Sequence, residues 1–195
     1  MKFISSDAFI KVLNSEDYST GGGSAAALAG AMAAALAAMV ARLSVDKADG
    51  LSPDHYQQLV FQAEALRDKL LAGAESDYTA FAAVKTAYAR PKTTEREKEE
   101  RALAIEQAFI GAAEIPAENA AYCQELIALI INLTGKSNPA AGSDLEVARE
   151  LSTAALKGCL ANIVINIPSI KNRATLDCLE QKVAEYKTYL KTIQP

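Results

Sequence analysis

Asp77 has the clearest chemical potential in this sequence. It falls on the apolar stripe of a long helical segment, in step with Leu59, Leu66, Leu70, Phe81, Val84 and Tyr88. A carboxylate buried there must be paired, protonated or put to work, because burying an unpaired charge is costly. Burial also raises a carboxyl pKa, which suits a general acid or base. The competing reading is a solvated or ion-paired aspartate beside a helix kink at Gly73. Asn162 and Asn166 stand one helical turn apart in the apolar run CLANIVINI. Neutral amides donate and accept, so this pair can read a heterocycle edge. Alternatively, they bond to backbone across a helix contact.

Three further groups of residues bear on chemistry. Thr20-Gly-Gly-Gly-Ser24 precedes an Ala-rich run. The glycines allow positive φ and close approach of another molecule, and Ser24 suits an N-cap. The helix start so formed would tolerate an anion, although an ordinary tight turn and cap explains it equally. No Gly-Lys-Ser/Thr follows and no strand precedes, which excludes a Walker loop and a dinucleotide fingerprint. Ser143-x-x-Glu146 reads as a capping box, with Asp144 in a first turn where the helix dipole favours a carboxylate. Asp144 and Asn162 share a helix face but lie roughly 27 Å apart along it. One small site in one subunit cannot hold both; a long ligand or a symmetric dimer could. Lys85, Arg90, Lys92, Arg96 and Lys98 cluster around Pro91, interleaved with Glu95, Glu97, Glu99 and Glu100. That cluster suits a polycarboxylate tail or a solvated helix start.

The elements that must position these groups are helical. Ser6-Asp7 caps a short amphipathic helix from Ala8 to Leu13, with Phe9, Ile10 and Leu13 on one side. The Ala-rich helix from Ala25 to about Leu43 is apolar all round, which predicts that it is surrounded. A loop with Asp46, Asp49, Gly50 and Pro53 ends it. Pro53-Asp54 opens a long helix that Pro91 stops after Arg90. Thr94-x-x-Glu97 is a capping box for the next helix, which Pro116 should kink or break before it ends near Asn132, with Gly135 as the stop. Lys136–Gly142 is a loop, a helix runs from Ser143 to about Ile167 before Pro168, and a charged amphipathic helix spans Ala174 to Leu190. No strand-like alternation exceeds four residues. The expected architecture is all-α, a single-domain bundle of about six helices with a buried central Ala-rich helix.

Composition narrows the function classes. The chain has 195 residues, enough to bury one core, and half are hydrophobic, mostly Ala. A formal net charge of −4 argues against nucleic-acid binding. Cys123, Cys159 and Cys178 have no CxxC spacing and read as buried free thiols in a reducing cytosol, so a cytoplasmic location is expected. No signal peptide is evident, and residues 25–41 are the one membrane-span candidate, weak because Ala dominates it. A single histidine, His55, gives no metal-ligand cluster, so no metal is expected.

Five stretches, in order over nearly the whole chain, carry a resemblance: GGGSAAALAGAMAAALAAMVA (21–41), DYTAFAAV (77–84), RPKTTEREKEER (90–101), SDLEVA (143–148) and NIVINIPSI (162–170). Together they resemble the cyclodeaminase/cyclohydrolase family, the C-terminal half of formiminotransferase-cyclodeaminase and its free-standing bacterial relatives. The resemblance implies an all-helical protein, assembled as a homodimer or larger oligomer, acting on a tetrahydrofolate derivative, polyglutamylated forms included. No cofactor beyond that substrate, no nucleic acid and no membrane is implied. Two activities occur in the family. One closes 5-formiminotetrahydrofolate to 5,10-methenyltetrahydrofolate with loss of ammonia, and the other hydrolyses the methenyl compound to 10-formyltetrahydrofolate. The first is the expected activity, the second the alternative, and a non-catalytic folate-binding or scaffold oligomer the rival class. By the resemblance Asp77 is the catalytic carboxyl, and Gly22, Gly23, Ser24, Lys85, Lys92, Ser143, Asp144, Asn162 and Asn166 bind substrate. The chain departs from the family pattern at Thr20, where relatives have proline, at Asn172, where they often have Asp, and in the longer loop NPAAG.

Overall fold

A computed structural model describes residues 7–46 and 50–193; the sequence expectations for Ser6 and Asp49 lie outside them. Six α-helices account for most of these residues: α1 (Asp7–Val12), α2 (Gly22–Ser44), α3 (Pro53–Tyr88), α4 (Glu95–Leu133), α5 (Gly142–Asn166) and α6 (Arg173–Ile193). Short 3-10 turns at Pro139–Ala141 and Ile167–Ser169 flank α5, and no strand occurs among the described residues. Helices α2 to α5 form an antiparallel up-down-up-down bundle in which each packs on the next and α5 returns to α2. Helix α1 lies against α2 and α3, and α6 against α4 and α5.

The local signals explain most boundaries. Ser52 caps α3, its hydroxyl accepting from the His55 amide at 3.3 Å, with Pro53 in the first turn. Thr94 and Glu97 form a complete capping box, the Glu97 carboxylate accepting from the Thr94 amide at 2.9 Å. Gly135 ends α4 with φ 72°, a left-handed conformation that a side chain would strain. The small residues of α2 let its neighbours approach closely, and the core is Ala from α2 set against Leu and Ile from α3, α4 and α5.

Several expectations are corrected. Helix α2 begins at Gly22 rather than Ala25 and Gly21 is its N-cap, so Ser24 sits inside the first turn. None of the three glycines there has positive φ. Helix α2 is deeply buried, yet Met32, Met39 and Leu43 form an exposed stripe, so it is not enclosed on all sides. In α1 the buried residue is Ala8, while Phe9, Ile10 and Leu13 are exposed. No capping box forms at Ser143: α5 starts a residue earlier and its N-cap, Ala141, makes no side-chain bond. Pro116 does not break α4, which runs through it. Gly73 marks no break in α3; its bare Cα receives the Asn119 side chain, whose Oδ1 lies 1.9 Å from where a Cβ would stand. Cys123 and Cys159 are buried, but Cys178 is exposed. A second stretch, Pro139–Ser169, joins α2 as long and apolar enough to cross a bilayer.

Candidate active site

At the end of the bundle where α2 begins, α3, α4 and α5 enclose a cavity of about 350 Å³. Asp77 and Phe81 of α3, Phe109 of α4, Asn162 and Asn166 of α5 and the glycines at the α2 start line it. The antiparallel arrangement makes this meeting possible. Helix α2 points its N-terminus into the space, while α3 and α4 extend past it as a hairpin. Asp77 and Phe81 are one turn apart, so both face the same side of α3.

Asp77 is half-buried and caps α2 from another helix. Its Oδ2 accepts from the Ser24 hydroxyl at 2.9 Å, and the Ser24 backbone amide also donates to the carboxyl. That amide is one of the donors a helix start leaves unpaired. The Ser24 hydroxyl, fully buried, also lies 3.1 Å from the Ala74 carbonyl, so one proton serves two acceptors. Gly23 is required by this contact, since a Cβ there would stand 2.1 Å from Asp77 Oδ1. Burial pushes the Asp77 carboxyl above its ordinary value, and the two Ser24 hydrogen bonds pull it part of the way back. Among the described residues no cation forms an ion pair with it. The ion-paired reading of Asp77 is therefore set aside, and its capping role stands beside any catalytic one.

The two asparagines are fixed by carbonyls. Asn162 Nδ2 donates to Gly158 O at 2.9 Å, and Asn166 Nδ2 donates to Ala112 O at 2.9 Å and to Asn162 O at 2.7 Å. Carbonyls accept only, so the amide nitrogens must face them and each Oδ1 is left as an acceptor. The amides thus bond to backbone, as one expectation had it, and at the same time line the cavity. Gly22 packs beneath Asn162, 3.3 Å separating its would-be Cβ from Nδ2.

The other expected site residues are dispersed. Lys85 stands at the rim, its ammonium 3.4 Å from Tyr18 O and 4.6 Å from the centre of the Phe81 ring. Lys92 is exposed at the hairpin turn and does not line the cavity. In that cluster Arg96 pairs with Glu100 and Lys98 with Glu95, as a solvated helix start would. Ser143 and Asp144 lie at the opposite end of α5 and do not reach the cavity of their own subunit. Sequence reasoning did not single out Tyr18, Thr20, Val84, Phe109 and Ile165 as cavity residues. Phe81 and Val84 were one and two turns on from Asp77, a spacing that pointed to them; Phe109 comes from another helix and carried no such signal. Among the described residues no cluster of His, Cys, Asp or Glu could hold a metal.

These features define an up-and-down helical bundle with one carboxyl and a set of oriented amides at an apolar cavity. A family described as formiminotransferase-cyclodeaminase matches residues 5–185, and the chain belongs to that family. It is 34% identical over 169 residues to a methenyltetrahydrofolate cyclohydrolase of Methylorubrum extorquens, covering 86% of this chain and 81% of that one. It is 32% identical over 164 residues to the formimidoyltransferase-cyclodeaminase of Gallus gallus, covering 84% of this chain but only 30% of that longer protein. The crystal structure of a formiminotetrahydrofolate cyclodeaminase from Thermotoga maritima superposes with a TM-score of 0.77 at 25% identity, covering 94% of this chain and 92% of that one.

Proposed function

We propose that this chain is a one-carbon folate enzyme that closes 5-formiminotetrahydrofolate to 5,10-methenyltetrahydrofolate and releases ammonia. The observation that carries this reading is Asp77, a half-buried carboxyl on the cavity wall with a raised pKa and, among the described residues, no cation paired to it. Folate N10 attacks the formimino carbon on N5, giving a tetrahedral centre. N10 then loses a proton, the amino nitrogen gains one, and the C–N bond to ammonia breaks. Asp77 as carboxylate takes the first proton and, as acid, returns it to the departing nitrogen. Such help is worth about 10²–10⁴-fold. Phe81 and Phe109 offer flat apolar walls for the pterin, and the two Oδ1 atoms accept from its N–H edge. Lys85 at the rim, and Lys92 beyond it on the hairpin, attract the glutamate tail.

The 34% identical relative favours a second reading, hydrolysis of the methenyl compound, in which Asp77 takes a proton from the attacking water. Purified protein given the formimino substrate should develop methenyl absorbance with one ammonia per ring closed. Loss of that absorbance from methenyl-folate, faster than buffer and with no formimino activity, would select hydrolysis. No response to either folate would refute both.

The assembly we propose is a homodimer through α5, with localisation in the cytoplasm. Val147, Glu150, Ala154, Lys157, Ala161 and Val164 are all exposed at helical spacing. Laid antiparallel on itself about Ala154, this stripe sets Glu150 of one copy opposite residue 158 of the other, within reach of the adjacent Lys157, a self-complementary arrangement. Exposed Met32, Met39 and Leu43 on the neighbouring α2 add apolar surface. The same register carries Ser143 and Asp144 of one copy to Val164 and Ile165 of the other, beside the cavity that Ile165 lines. The 27 Å separation within one helix is thereby spanned by two. Ala154→Arg should convert the dimer to monomer in sedimentation velocity; a variant that sediments as the wild type does would refute this register.

A further inference from the structure

Pro116 lies in the interior of α4, where proline is the least favourable residue because it has no N–H to donate and its ring crowds the preceding turn. The helix continues through it and the side chain is fully buried, so the proline does not serve to end or turn the chain. Its consequence is local. Residue 116 would normally donate its N–H to the carbonyl of residue 112, and Pro116 has none to give. Ala112 O is therefore released from the helix ladder, and the ring crowds it away from the axis. The group that takes its place is Asn166 Nδ2 of α5, at 2.9 Å.

The remaining proton of that amide goes to Asn162 O at 2.7 Å, so both Asn166 donors are committed. Ala112, Asn162 and Asn166 all line the cavity. With Nδ2 held in this way, the amide plane is fixed and Oδ1 remains the acceptor. We propose that Pro116 is a positioning residue: by freeing Ala112 O it anchors the Asn166 amide and aims Oδ1 at an N–H group of the substrate's reduced pterin. This rests on the reading that Asn166 contacts the substrate. Restoring an N–H at position 116 draws Ala112 O back into the ladder, and Asn166 loses the partner that fixes its orientation.

The test uses Pro116→Val, which restores the N–H and keeps most of the buried volume, and Pro116→Ala as a second route to the same N–H. Each should raise the folate KM about tenfold, the scale of one lost hydrogen bond, with kcat nearly unchanged and Tm unchanged or higher. Asn166→Ala should raise KM similarly, and Pro116→Val/Asn166→Ala should be no worse than Asn166→Ala alone. A merely structural proline would lower Tm and the active fraction at unchanged KM. Wild-type KM in Pro116→Val, or additive effects in the double variant, would overturn the positioning role while leaving Asn166 as a contact. Wild-type KM in Asn166→Ala would overturn the contact and the positioning role together.

Discussion

Asp77→Asn should lower turnover by about 10²–10⁴-fold, while the protein keeps its fold and its affinity for folate. The amide has nearly the same shape and still accepts from Ser24, but it neither takes nor returns a proton. Stability follows from the direction of the pKa shift. A carboxyl raised above its ordinary 3.8 contributes stability in acid that is lost as pH rises through the folded value. At neutral pH the charged form is the disfavoured one, so Asp77→Asn should melt at or slightly above the wild-type temperature. That advantage should fade below pH 3.8. Were Asp77 only a cap for α2, the variant would keep its rate along with its fold, because an amide oxygen caps a helix about as well as a carboxylate. Calorimetry and turnover on the same preparation separate the two roles.

Gly23→Ala is the second large effect, and it arises without touching a reacting atom. The new Cβ would stand 2.1 Å from Asp77 Oδ1 and 2.6 Å from its Cγ, so the carboxyl must move away from the α2 start. A displacement of about 1 Å at a reacting group can cost on the order of 10²-fold in rate. Alanine is the better helix former by up to ~1 kcal/mol, which offsets part of the crowding. The expected result is a folded protein, without loss of helix by circular dichroism, whose kcat falls about 10²-fold. Gly22→Ala is the internal control. Its Cβ meets Asn162 Nδ2 at 3.3 Å, where a shift of tenths of an ångström suffices, and its kcat should stay within a fewfold of wild type. Equal losses in the two variants would deny Gly23 its special place.

The helices were legible in the sequence because their signals are local. The Thr94–Glu97 box, Pro53, Pro91 and Gly135 each act through their own turn, and each marks a boundary within a residue or two of the observed one. Ser24 and Ser143 were misread for the same reason. Each fits the local pattern of a cap, yet Ser24 is claimed by α3 through Ala74 and Asp77, and α5 starts one residue before Ser143. Asp77, Asn162 and Asn166 were legible as polar residues out of place, and the structure brings all three to one cavity. What the sequence could not express was contact between helices. Phe109 reaches the cavity only because α4 returns beside α3, and Pro116 reads as a breaker until Asn166 is seen to take its place in the ladder. Ser143 and Asp144 were legible as a pair and as lying apart from the asparagines, since the rise of one helix already separates Asp144 from Asn162 by roughly 27 Å, and α5 keeps them at its far end.

The central claim is that the group moving protons is Asp77, tuned by Ser24. The most direct test is the pH dependence of kcat/KM for wild type and Ser24→Ala, with one substrate so that its own ionisations cancel. The wild-type acidic limb should lie above 3.8, because the base must be ionised and burial holds its pKa up. Removing the hydroxyl removes a hydrogen bond that favours the carboxylate, so the limb should move to higher pH in Ser24→Ala. A limb that stays in place, in a variant that folds and turns over, would mean that some other group carries the proton.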